Sequence, residues 1–145
     1  MNTVLIKKLK PNAIIPEYKT KGSAGADLHA LIEEGQITLK PFEIKLIPTG
    51  LAIELAEGLE AQIRPRSSLG LKGIIIPNSP GTIDCDYRGE ISIVLQNLSG
   101  KDFTLNNGDR IAQIIISSVM QVHFAEVKEL SDTIRGVGGF GSTGV

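Results

Sequence analysis

What most constrains this chain is the spacing of its turn formers. Pro48-Thr49-Gly50, Glu57-Gly58, the stretch Pro77 to Gly81, Ser99-Gly100 and Asn106-Asn107-Gly108-Asp109 recur at intervals that leave few stretches long enough for an ordinary helix. Between these interruptions the apolar residues alternate. Leu51, Ile53 and Leu55 form one set, Leu59, Ala61 and Ile63 a second, and Ile91, Ile93 and Leu95 a third. A period of two puts each set on one face of an extended strand. Side-chain chemistry agrees: 20 Ile, 7 Val and 8 Thr make 35 of 145 residues branched at Cβ, the type that packs best on a pleated surface. The one helical signal is a turn or two around Arg66–Lys72, cut short by Gly70 and Gly73. The pattern predicts an all-β, single-domain jelly-roll-like barrel or sandwich with little helix. The run from Ile111 to Val119 is more continuously apolar and predicts a strand buried on both faces, within the sandwich or against another subunit.

Charge narrows the function classes. With 15 Lys plus Arg against 16 Asp plus Glu the formal charge is −1, too low for a nucleic-acid track, so no nucleic-acid partner is expected. No apolar run approaches the ~18 residues of a membrane span and the N-terminus has no secretory h-region, which predicts no membrane partner and a cytoplasmic location. A single cysteine, Cys85, excludes an internal disulfide.

Residues 135–144, RGVGGFGSTG, hold five glycines and cannot offset the entropy of a packed strand. They predict a flexible C-terminal arm over 135–145, beyond a β domain spanning 1–134. The arm's residue types suit an anionic, aromatic ligand: a guanidinium at Arg135, a stacking face at Phe140, and open backbone plus hydroxyls at Gly141, Ser142 and Thr143.

Four other constellations carry chemistry. In Gly81-Thr82-Ile83-Asp84-Cys85-Asp86-Tyr87-Arg88-Gly89-Glu90, two carboxylates at i and i+2 would share a strand face. That pair is read as a divalent-cation site, as a general base, or as a hydrated turn. Strict alternation sends Tyr87 to the opposite face from Asp84, so a common ligand requires the strand to bulge or bend. Arg64-Pro65-Arg66-Ser67-Ser68 reads either as an anion site at a helix start or as an ordinary N-cap. Around Gly108, Asp109 and Arg110 brace a turn and Gln113 is a satisfied polar group or a contact. Finally, Ser23 to Ala30 combines small residues with Asp27, within reach of a metal-bound water, and His29, expected to be exposed or satisfied. No Ser/His/Asp spacing supports acyl-transfer hydrolysis.

In this order, AGADLHA (24–30), PRSSLG (65–70), GTIDCDYRGE (81–90), GDRIAQI (108–114) and RGVGGFGSTG (135–144) resemble the five motifs of the trimeric deoxyuridine triphosphate nucleotidohydrolases. The resemblance implies a β jelly roll assembled as a homotrimer, with each active site shared between chains and the arm closing over it. It implies Mg²⁺-dependent hydrolysis of dUTP to dUMP and pyrophosphate by water attack at the α-phosphorus, which limits uracil in DNA and supplies dUMP for thymidylate synthesis. Asp84 would activate the water, and Asp27 would hold the metal indirectly, through water. Arg66, Ser67, Ser68 and Gln113 would meet the phosphates, joined by Arg135, Gly141, Ser142 and Thr143 from the arm. Asn78 and Ile83 would meet uracil, Phe140 would stack on it, and Tyr87 would lie against the deoxyribose. Ser68 departs from the family's usual glycine. Two alternatives are weighed against this reading: a dCTP deaminase of the same fold, which usually lacks such an arm, and a non-catalytic nucleotide-binding trimer, which would have lost Asp84 or the arm.

Overall fold

Short alternating segments joined by tight turns fold here as antiparallel strands throughout, in a computed structural model that describes residues 3–141. In chain order these are β1 (Leu5–Lys8), β2 (Ala26–His29), β3 (Gln36–Leu39), β4 (Ile44–Pro48), β5 (Leu51–Glu54) and β6 (Leu59–Arg64). The helix α1 (Ser67–Gly70) follows, then β7 (Ile74–Ile75), β8 (Gly81–Ile83), β9 (Ser92–Asn97), β10 (Phe103–Asn106) and β11 (Arg110–Ser118). The largest sheet has the order β2-β11-β6-β8, a second has β4-β9-β7, and the pairs β1-β5 and β10-β3 complete the jelly roll. Each sheet stays open, so the architecture is the sandwich form and not a closed barrel.

All four sheets share one core. Leu28, Ile63 and Ile111 come from the largest sheet, Ile47, Ile93 and Leu95 from the second, and Leu51, Ile53, Leu39 and Leu105 from the pairs. Each such side chain contributes about 1.5–3 kcal/mol by leaving water. The alternation read in the sequence holds at β9, where Ile93 and Leu95 are buried and Asn97 continues the same face. Asn97 is tolerated there because its amide donates to the carbonyls of Leu39 and Lys101 while its oxygen accepts from Ser99.

β11 occupies the interior of its sheet, between β2 and β6. Its first half is buried on both faces, as Ile111 and Ala112 are adjacent and both at 0 % exposure, whereas Ile115 and Ile116 are half-buried in the single chain. Glycines stand where the turns need a left-handed residue, Gly50 between β4 and β5 and Gly108 between β10 and β11. After Val119 the described chain forms no further strand or helix, and its apolar Met120, Phe124 and Leu130 are exposed.

Candidate functional site

Apart from those of the arm, the sequence-predicted residues fall into two pockets that share no lining residue. The first, about 180 Å³, lies where β8 leaves its sheet and faces the start of β9. Its walls are isoleucines, among them Ile63, Ile83 and Ile91, and its polar groups include Asn78, Asp84, Tyr87 and Glu90. Asp84 and Tyr87 reach one cavity because the strand ends at Ile83 and turns, with the Tyr87 N–H donating to the Asp84 carbonyl at 3.1 Å. A bulge within a continuing strand is thus not what happens here. The two carboxylates do not share the cavity: Asp84 lines the pocket and Asp86 does not. Cys85 instead packs against the hydrophobic core.

The second pocket, about 460 Å³, is built from the segment before β2, the start of α1 and the first half of β11. Lys19, Arg66 and Arg110 bring three cations to it against one carboxylate, Asp27, and Ser67 and Ser68 add exposed hydroxyls. Asp27 is nearly buried and holds both arginines, Arg66 Nε at 3.1 Å and Arg110 Nη1 at 3.1 Å. Arg66 Nη1 also donates to the Arg110 carbonyl at 3.1 Å, so both guanidiniums are fixed before any ligand arrives. Arg110 therefore does more than brace a turn; that task falls to Asp109, which accepts from the Asn106 N–H at 2.8 Å. The residue preceding α1 is Arg66 itself, with no side-chain cap, so the ordinary N-cap reading fails.

Gln113 is held from two sides. Its amide donates to the Pro65 carbonyl at 2.9 Å, and its oxygen lies against Gly25, where a Cβ would come within 2.6 Å of it. The small residues ahead of Asp27 thus permit the close approach expected of them. His29 departs from expectation: its Nδ1 is buried without a hydrogen-bond partner among the described residues. Burial, the largest cause, lowers its pKa from the usual imidazole value. Asp27 opposes that shift, while Lys19, Arg110 and Arg66 add to it.

Charge separates the pockets as sharply as position does. The first is lined by two carboxylates, Asp84 and Glu90, and no cation; the second carries an excess of two positive charges, three cations less one carboxylate. Lys19 had no signal in the sequence; the bridge between Glu17 and Asp27 brings its segment alongside β2. In the arm, Arg135 donates to the Gly138 carbonyl at 2.9 Å, and Phe140 is fully exposed. Gly141 is the last described residue, and Ser142 and Thr143 lie outside the described range.

As to a metal, no group of three or more His, Cys, Asp or Glu side chains is placed to cage one among the described residues. A single carboxylate with lone pairs left beyond its two arginines fits an outer-shell role toward a hydrated Mg²⁺ carried in by an anionic ligand, and does not fit a dedicated protein site.

Comparison with known proteins identifies the family. The family model described as dUTPase matches residues 11–144. A deoxyuridine 5'-triphosphate nucleotidohydrolase of Treponema denticola is 59% identical over 139 residues, covering 95% of this chain and 96% of that one. Among solved structures, the dUTPase of Staphylococcus bacteriophage 80alpha with dUpNHpp superimposes with a TM-score of 0.90 at 28% identity, covering 100% of both chains. A variant dUTPase from phage phi11 of S. aureus, described as coordinating a structural Mg(II) ion, gives a TM-score of 0.79 at 25% identity over 88% of this chain and 98% of that one. A family match over nearly the whole length, with a nucleotidohydrolase relative 59% identical across 95% of it, shows that the chain belongs to the dUTPase family.

Proposed function

We propose that this chain hydrolyses dUTP to dUMP and pyrophosphate as a homotrimer whose active sites each combine the first pocket of one copy with the second pocket of another. The observation that carries the shared site is the charge of the first pocket. A triphosphate beside Asp84 and Glu90 meets two carboxylates and no cation, and each like-charge pair at 4 Å costs about 4 kcal/mol at an effective dielectric of 20. The cations that offset this repulsion line a different pocket of the chain, and in this reading a second copy supplies them.

In this reading the isoleucine walls take the uracil ring, with Ile83 beneath it and Asn78 hydrogen-bonding its edge. Exclusion of thymine rests on the fit at ring carbon 5, and exclusion of cytosine on donors and acceptors left unpaired, the costlier mismatch. Tyr87 lies against the deoxyribose and leaves no space for a 2′-hydroxyl. Asp84 accepts a proton from the water that attacks the α-phosphorus, and the bond from that phosphorus to the bridging oxygen breaks, with pyrophosphate leaving. Arg66, Ser67, Ser68 and Gln113 of the second copy hold the phosphates in line. The arm, through Arg135, Phe140, Gly141, Ser142 and Thr143, closes over the nucleotide and excludes water. Asp27 would accept hydrogen bonds from the water shell of a Mg²⁺ ion brought in with the triphosphate, and that ion would supply charge neutralisation at the phosphate oxygens.

The test is pyrophosphate release with Mg²⁺ from dUTP, dTTP, UTP and dCTP in parallel, with solution mass measured on the same sample. Strong preference for dUTP by a trimer is the expected result. Ammonia released from dCTP, or a monomer inert toward dUTP, overturns the reading.

A further inference from the structure

We infer that Gly89 is a positioning residue that seats the Tyr87 ring and thereby sets discrimination between deoxyribo- and ribonucleotides; the inference rests on the placement of Tyr87 against the sugar proposed above. Tyr87 is nearly half exposed and sits on a turn, so core packing does not fix its ring. Its hydroxyl instead donates to the Glu90 carbonyl at 3.0 Å. That carbonyl is itself anchored. The Glu90 carboxylate accepts the Gly50 N–H at 2.7 Å, and the next residue, Ile91, donates its N–H to the Leu51 carbonyl at 2.8 Å. To reach from position 87 to the carbonyl of position 90, the ring must cross the backbone of residue 89.

The crossing leaves no space for a side chain there. A Cβ on Gly89 would meet Tyr87 Cζ at 2.5 Å and Cε2 at 2.9 Å, with the hydroxyl oxygen closer still. Every one of these neighbours belongs to the outer end of the same ring, and Gly89 is not among the glycines with positive φ. Alanine is therefore allowed by the backbone at 89, and the group that must give way is the ring, which swings off its seat. The requirement for glycine at this position comes from the tyrosine it faces.

The experiment measures kcat/KM for dUTP and for UTP in full-length wild type, Gly89→Ala, Tyr87→Ala and the double variant. A loss of folded protein lowers both substrates alike, so the dUTP-to-UTP ratio reports ring placement alone. The expected result is that Gly89→Ala lowers the ratio on the order of tenfold or more. It should keep a cooperative melt, and adding it to Tyr87→Ala should change the ratio no further. A wild-type ratio in Gly89→Ala alongside a lowered one in Tyr87→Ala overturns the role of Gly89 and leaves the sugar contact standing. A further drop in the double variant also overturns it, since Gly89 would then act apart from the ring. A wild-type ratio in Tyr87→Ala removes the sugar contact itself. Should Gly89→Ala fail to fold, Tyr87→Phe carries the test, because it keeps the ring and deletes its bond to Glu90: a lowered ratio supports the seat, and an unchanged ratio overturns it.

Discussion

The two pockets solve opposite problems with opposite materials. The first has isoleucine walls, few polar groups and a net negative lining, which suits a flat, weakly polar ring that must be stripped of water to be read. The second is larger, lined by charges and hydroxyls, and its arginines are already locked by Asp27, which suits a polyanion that arrives hydrated and must be held without reorganisation. In the proposed trimer the difference keeps selectivity and charge neutralisation apart on the chain, to meet through assembly. Asp84, the proposed base, forms no ion pair with a guanidinium among the described residues, whereas Asp27 holds two.

The widest gap between the pockets should show in kinetics. Asp84→Asn is expected to lower turnover on the order of a thousandfold while dUpNHpp still binds, because a base acts in the transition state and hardly in ground-state binding. Arg66→Ala should instead raise KM, since it removes a phosphate contact present in both states. Co-expression of the two impaired chains, assayed at dUTP far below KM where both are nearly silent, then tests the division directly. If each site joins the first pocket of one copy to the second of another, random mixing restores about a quarter of wild-type activity, half of the chains being correct for each contribution. Absence of any recovery in purified mixed trimers would place both pockets' functions on one chain and sink the shared site.

Next in size is the arm. Removal of residues 135–145 should cost on the order of a hundredfold in kcat/KM with dUTP, through lost closure over the ligand. The melting temperature should stay near that of the full chain, because Phe140 buries nothing and the hydrogen bond of Arg135 is to its own segment. Differential scanning calorimetry beside the kinetic assay checks both halves; a truncated chain that melts early would mean that the arm belongs to the packed domain.

The sequence made the two pockets' residues legible but not their separation. Alternation located β5, β6 and β9 because each has a clean apolar face, and the continuous run located β11. It missed β4, whose Ile44 and Leu46 point outward and are exposed, so its pattern runs against the inward rule. It also missed β7, whose two residues are too few for a period to register, and β1, β2, β3 and β10, none of which was read as an alternating set. At the site, periodicity assigned Asp84 and Tyr87 to opposite faces, and a turn at the end of β8 overrode it. The pairing of Asp27 with both Arg66 and Arg110 joins residues far apart in sequence through the β2-β11 ladder and the approach of α1, neither of which local pattern encodes. Lys19 arrives by the same kind of long-range accident.

The smallest expected effect sharpens the contrast from the side of stability. His29 stands at the end of β2 beside the cationic pocket, facing Asp27, Lys19, Arg110 and Arg66, and burial with those three cations outweighs the one carboxylate in lowering its pKa below 6.5. In the unfolded chain the imidazole regains its ordinary value and binds a proton that the folded state binds less well. As pH falls through 6.5 the unfolded state therefore takes up more protons, and stability declines until the folded pKa is passed, after which this contribution is flat. Well above pH 6.5 the group is unprotonated in both states and costs nothing by this route. His29→Gln, which cannot titrate, should flatten that acid-side decline in urea midpoints measured at intervals from pH 7 downward, without changing the ratio of turnover on dUTP to turnover on UTP, which belongs to the other pocket. A wild-type slope in the variant would show that the proton uptake comes from elsewhere in the fold, and a changed ratio would show that the two pockets are coupled within a chain as well as between chains.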